Sequence, residues 1–137
     1  MKKIIVLLLF ICFNSYMFPY INIYPVKFDK NISSDVEEEF FLYNRTKENK
    51  KYRIYLENSE DSEFANWIEI YPKSILLKPL EEKKFKIYIK TPSNAEKGIY
   101  STNLIVKEVE SVEKNRDNKK TKILTKLKMR LIGRLER

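Results

Sequence analysis

From residue 20 onward the chain is a succession of short apolar runs with a two-residue period, each closed by a polar or proline-containing break. That period belongs to strands with one buried face, because successive side chains of an extended backbone point to opposite sides. The first run covers Tyr20 to Phe28, where Pro25 is tolerable only at an edge or at a break in pairing. The second, Val36 to Asn44, puts Val36, Glu38, Phe40 and Leu42 on one face, with Glu38 as the misfit. In the third, Tyr52, Ile54 and Leu56 alternate with Arg53, Tyr55 and Glu57. A polar loop from Asn58 to Glu63 leads to Trp67 through Pro72, then Ile75 and Leu77, and a turn at Pro79. Phe85, Ile87 and Ile89 alternate strictly with Lys84, Lys86, Tyr88 and Lys90, the clearest half-buried strand in the chain. After Thr91-Pro92, a run opened by Gly98 places Tyr100, Thr102, Leu104 and Val106 on one face, ahead of a charged loop from Glu108 to Lys120. The spacing predicts an all-β, seven-stranded immunoglobulin-like β-sandwich. Its expected core includes Trp67, Phe85, Ile87, Ile89, Tyr100, Leu104 and Val106.

The last segment, Lys122 to Leu135, reads two ways. As a strand it sets Ile123, Thr125, Leu127, Met129, Leu131 and Leu135 against Lys122, Lys126, Lys128, Arg130 and Arg134, with Leu124 and Ile132 as exceptions. As a helix it aligns Leu124, Leu127, Leu131 and Leu135 in a basic amphipathic pattern suited to a membrane surface. The strand is preferred, because Gly133 weakens a helix, no cap precedes it and a sandwich needs the partner.

Ahead of the strands, Lys2 and Lys3 precede an apolar run of ten residues, Ile4 to Phe13. Such a run is short for a bilayer span and suits the core of a signal peptide. No small-x-small cleavage signature follows it, so residues 1–19 are either a cleaved signal peptide or an uncleaved anchor, and residues 20–137 form one domain. Cys12 lacks the small residue before it that lipoprotein processing wants. Export places the domain in the periplasm or cell envelope.

Cys12 is the only cysteine, so a domain whose leader is removed has no thiol for a disulfide or a thiolate metal site, and with no histidine the usual zinc sites and His-dependent triads are removed as well. No catalytic residue, metal site or cofactor is expected. The acidic clusters Glu37 to Glu39 and Glu81-Glu82 sit in charged stretches and no nucleophile has a recognisable base beside it. The net charge of +8 is local: Lys119 to Arg137 holds eight basic residues and one acidic, whereas residues 20–118 carry 17 basic and 18 acidic. With export excluding nucleic acid as a target, the basic segment points to an acidic peptide, a carboxylate or an anionic membrane surface.

One string within this pattern carries a resemblance. Pro72, Ile75-Leu76-Leu77-Lys78-Pro79-Leu80-Glu81, the Phe85 strand, Pro92 and Gly98-Ile99-Tyr100 occur in the order found in the N-terminal domain of PapD-like periplasmic pilus chaperones. Lys27-Phe28-Asp29 resembles the basic residue and Phe-Asp of that family's first strand, and Lys126 to Ile132 resembles its final strand. The resemblance covers about residues 20–135. It implies that the final strand is donated to an incomplete subunit fold, with Ile123, Thr125, Leu127, Met129 and Leu131 as the donated row. It also implies that Lys27 and Arg130 anchor the subunit's terminal carboxylate. The family holds that carboxylate in a cleft between two immunoglobulin-like domains, so here the cleft either comes from a partner or does not exist. The partners implied are secreted or fibre-forming subunits, with an outer-membrane usher as a further one. The competing expectation is a membrane-anchored structural or adaptor module of the cell envelope, touching the membrane through its N-terminal segment.

Overall fold

A computed structural model describes residues 22–57, 62–109 and 124–136. The leader at residues 1–19 lies outside the described residues, as do Tyr20, Ile123 and most of the charged loop before it. Nine strands are present among the described residues: β1 (Asn22–Tyr24), β2 (Phe28–Asn31), β3 (Val36–Tyr43), β4 (Lys50–Leu56), β5 (Ile68–Tyr71), β6 (Ser74–Leu77), β7 (Glu82–Ile89), β8 (Gly98–Val109) and β9 (Lys126–Leu135). A 3-10 turn, Phe64–Trp67, joins β4 to β5. The strands form two facing sheets, one ordered β1-β3-β7-β5 and the other β2-β9-β8-β4-β6.

The excess over seven has one physical cause, acting twice. Pro25 separates β1 from β2 and Pro72 separates β5 from β6, and in both cases the segments on either side belong to different sheets. Proline donates no hydrogen bond to a ladder, so the chain crosses from one sheet to the other where pairing must lapse anyway. Counting each interrupted strand once leaves seven.

The core is built from the inward positions of both sheets. Phe40 and Phe85 lie opposite each other on β3 and β7 with their rings stacked, centroids 5.1 Å apart. Ile87 and Ile89 continue that layer, facing Leu104, Val106, Leu131 and Ile54 from the other sheet, all buried. Trp67 closes one end against Tyr100, at 4.7 Å between centroids, and against Phe64 at 5.8 Å. Of the expected core, Tyr100 alone is only half-buried, because its hydroxyl reaches out to donate to the Glu96 carbonyl at 2.6 Å. Glu38, the misfit on β3, sits at the open side between the sheets and pairs with Lys30 of β2 at 3.2 Å.

The final segment is a strand, beginning at Lys126, and its alternation is as expected. Met129, Leu131 and Leu135 face the core while Lys126, Lys128 and Arg130 are exposed.

Candidate functional site

β9 is not an edge strand along its whole length. On one side it pairs with β8 from Lys126 to Leu135. On the other it is met by β2, which runs parallel to it and covers only Leu131 to Arg134, from Phe28 opposite Leu131 to Asn31 opposite Arg134. Because β1 has gone to the other sheet, Lys126 to Arg130 have no strand partner on this side among the described residues. Five residues of open backbone edge result, with peptide groups directed at whatever lies alongside.

The β2–β9 junction that bounds this edge is held by a bidentate ion pair. Arg134 donates through Nε to Asp29 Oδ1 at 2.7 Å and through a second guanidinium nitrogen to Oδ2 at 2.9 Å. The hydrogen bonds from Arg134 hold the Asp29 carboxyl below its usual range, against a partial burial that works the other way. Ile32 donates from its backbone to the Arg134 carbonyl at 2.9 Å and extends the junction by one residue.

Beside the open edge lies a depression of about 490 Å³ lined by Ile23, Val26, Lys27, Phe28, Leu127, Lys128, Met129, Arg130 and Ile132. Lys27 and Arg130, 103 positions apart in sequence, thus share one concavity, and both are exposed. Of the outward cations on β9, Lys128 binds Glu57 at 2.8 Å and Arg134 binds Asp29, whereas Arg130 makes no ion pair among the described residues. Lys27 makes none either, although its charge contributes to lowering the Asp29 pKa. Two uncommitted cations therefore flank an unpaired strand edge.

The expected donated row divides. Leu131 has no exposed surface and Met129 is buried, so both belong to this domain's own core and a partner's groove cannot receive them. A side chain that fills the space between the sheets is not free to enter another fold. Thr125 and Leu127 are half-buried, Leu127 packed against the core margin. Ile123 lies outside the described residues. The depression adds apolar groups that sequence reasoning missed: Val26, 75% exposed, together with Ile23 and Ile132. A signal for one of them existed, since Ile132 broke the alternation on the polar face of β9.

Two larger depressions, of about 590 and 690 Å³, lie along β5 and share Glu69 and Tyr88 in their lining. Neither is lined by a pair of uncommitted cations beside a long open edge, and size alone does not choose between them and the β9 depression.

At the start of β9 a second polar cluster closes the β8–β9 end of the sandwich. Lys50 Nζ donates to Glu108 Oε1 at 2.9 Å, and the Thr125 amide donates to Glu108 Oε2 at 3.0 Å. Burial works against the Lys50 ammonium, but Glu108 and Glu48 outweigh it and hold its pKa above the ordinary value. Tyr52, buried beside Glu108, has its phenol pushed up to about 12 by desolvation and by that carboxylate. This cluster fixes where β9 begins to pair with β8.

No protein-family model matches the sequence. No curated protein matches it either. Among solved structures, PapD-like domain 7 of human CEP192 superposes with a TM-score of 0.60 at 16% identity, over 86% of each chain. The Escherichia coli chaperone DraB matches with a TM-score of 0.63 at 14% identity, over 85% of this chain and 55% of that one. The chaperone–tip adhesion subunit complex CsuC–CsuE of Acinetobacter baumannii matches at 0.61 and 14%, over 85% of this chain and 57% of that one. This chain spans a little over half the length of those two matched chains. At such identities the likeness is one of fold, and with the two split strands and the sheet order it gives the conclusion that this chain has a PapD-like, immunoglobulin-like fold.

Proposed function

We propose that this domain is an exported, chaperone-like binding protein that takes up secreted or fibre-forming subunits by strand addition at the open edge of β9. One observation carries the reading: among the described residues the edge from Lys126 to Arg130 has no strand partner, and it borders a depression shared by Lys27 and Arg130. A strand laid along it gains main-chain hydrogen bonds, which give affinity. Thr125, Leu127, Ile23, Val26 and Ile132 supply apolar contact beside it. The two free cations then offer a carboxylate charge-assisted hydrogen bonds that fix register, which main-chain pairing alone leaves open to slippage. The solved complex of a chaperone with its tip adhesion subunit, on the same fold, supports subunits as the partner class. In this reading the domain is a binding module without a catalytic role, and it works in the periplasm or cell envelope.

The test is co-purification from the native envelope with identification of the bound polypeptides. Arg130→Ala with Lys27→Ala should deplete the captured subunits several-fold while leaving the thermal midpoint nearly unchanged, both side chains being exposed. If capture of every envelope polypeptide is untouched by the double change, the mechanism is lost. The alternative, a structural or adaptor module, then stands, favoured by the match along nearly the whole of a PapD-like domain of human CEP192.

A further inference from the structure

The outward face of the β2-β9-β8-β4-β6 sheet carries a charge arrangement that subunit binding does not use. Arg53 on β4 lies directly opposite Lys107 on β8, and Lys107 lies directly opposite Lys126 on β9. Their inward neighbours Ile54, Val106 and Leu127 form the matching row on the core face, so the three cations project to solvent together, and all three are exposed. Adjacent strands lie about 4.8 Å apart, which sets three like charges in a line about 10 Å long. Like charges directly opposite one another destabilise a sheet. None of the three makes an ion pair among the described residues; Lys126 only acts through space on Glu57. Lys51, also exposed, extends the group on β4. Other cations on the two sheets are paired: Lys84 and Lys86 on β7 are bound by Glu37 and Glu39, Lys128 by Glu57 and Arg134 by Asp29. Among the described residues no ion pair offsets the repulsion in this row.

The row also has a definite place. Lys51, Lys107 and Lys126 lie at the end of the sandwich where β4 and β9 begin and β8 finishes. The same end holds the turn after Leu77 and the loop after Tyr43, which Asn44 ties together by donating from Nδ2 to the Lys78 and Glu48 carbonyls at 3.0 and 2.8 Å. Asn22, the first described residue, pairs with Tyr43 there, and its amide, with the oxygen turned toward Arg45, accepts from that guanidinium at 2.6 and 2.7 Å. The chain therefore enters the sandwich at the cationic end. In sequence, the apolar run Ile4 to Phe13 ends nine residues before Asn22, and nine residues extend at most about 32 Å. A membrane holding that run is within reach of this end.

We infer that the row Arg53, Lys107 and Lys126, with Lys51, is a docking face for an anionic lipid bilayer. The arrangement suits a surface: it crosses three strands and lies outside the three depressions described above, where a single peptide strand would follow one edge. Phosphate head groups supply the counter-charge that no described residue brings into an ion pair with the row, each cation near such a surface contributing favourably within a Debye length. The inference is independent of subunit binding, which concerns the β9 edge and needs no lipid.

The test measures partition of trace amounts of the full chain into phosphatidylcholine vesicles with and without phosphatidylglycerol, in the absence of any subunit. Partition should be stronger on the anionic vesicles, and the difference should shrink as salt rises. Arg53→Gln, Lys107→Gln and Lys126→Gln together should lower the anionic partition coefficient by up to about a hundredfold and leave the neutral one unchanged. A control removing the same charge elsewhere, Lys73→Gln, Lys90→Gln and Lys97→Gln, should lower it much less. Equal partition into the two vesicles, or equal losses in the two triple variants, overturns the inference. So does binding of polyglutamate that the first triple variant abolishes while anionic partition is unaffected, since the row would then serve an acidic polypeptide.

Discussion

At position 133 a hydrogen stands where any other residue has a Cβ, and two buried side chains occupy the space. A Cβ built there would lie 2.8 Å from both Ile32 Cδ1 and Phe64 Cζ. Gly133→Ala should therefore lower stability by about 1–3 kcal/mol through overpacking, read from urea unfolding. Unchanged stability would mean that Phe64 and Ile32 can withdraw at no cost. Asn44 is the complementary case, a buried polar side chain with every group used. Its Nδ2 donates to the carbonyls of Glu48, Leu77 and Lys78, and its Oδ1 accepts from the Thr46 amide and hydroxyl. Asn44→Ala removes these bonds, leaving the Glu48 and Lys78 carbonyls only the Thr46 hydroxyl and the Glu81 amide as donors, and should cost about 1–3 kcal/mol. Leu80 holds a positive φ of 59° in the turn before β7 while 64% exposed, so its side chain gains little from the strain. Leu80→Asn should raise the unfolding midpoint slightly, because asparagine tolerates the left-handed region better.

At the level of single strands, β7 and β9 differ in how far a sequence pattern determines their role. β7 lies between β3 and β5, and its inward residues Phe85, Ile87 and Ile89 have almost no exposed surface. Ile87→Ala should cost about 2–5 kcal/mol, the usual range for truncation where the surroundings cannot collapse. β9 has the same alternation, yet its two halves do different things. Near Leu131 it is enclosed by β2 and β8, and near Lys128 it is open on one side. The division follows from where β2 joins, which the Asp29–Arg134 pair secures. Asp29→Asn should weaken that junction and flatten the acid limb of the stability curve. The Asp29 carboxyl titrates lower in the folded chain than an ordinary aspartate, of pKa about 3.8, does in the unfolded one. The stability it contributes is therefore present above that pH and lost as pH falls below it. An acid limb identical in wild type and Asp29→Asn, followed by circular dichroism, would show that the pair is incidental.

For the molecule as a whole, the alkaline limb reports on the cluster at the head of β9. The Tyr52 phenol, at about 12 in the folded chain against 10.0 for an ordinary tyrosine, keeps its proton where the unfolded chain has given it up. The associated stability is complete below pH 10 and is lost as pH rises toward 12, by an amount on the order of 2 kcal/mol. Tyr52→Phe should remove most of that slope, and ultraviolet difference titration should show one tyrosine of the wild type ionising late. At this scale the two proposed surfaces meet only at Lys126, whose main chain belongs to the β9 edge and whose side chain belongs to the row: the edge with Lys27 and Arg130 serves a polypeptide strand, and the Arg53–Lys107–Lys126 row a bilayer.

Periodicity alone carried the all-β class, the alternating faces of β3, β7, β8 and β9 and nearly all of the expected core, because burial on one side of a pleated strand forces a period of two whatever the partner. It also marked Pro25 as a break and Ile132 as an exception, both of which fall at the candidate site. Pairing partners were not legible in it. That β1 and β2 belong to different sheets, that β2 stops short of Lys126, and that Met129 and Leu131 are enclosed while Leu127 is at the margin all depend on contacts between residues about twenty to about a hundred positions apart. The same holds for the cations. Counting charges located an excess near the C-terminus, but only the register of β4, β8 and β9 decides that Arg53, Lys107 and Lys126 stand in one row while Lys128 and Arg134 are neutralised by distant carboxylates. Local sequence determines which way a side chain points relative to its own strand; what it meets there is a property of the tertiary fold.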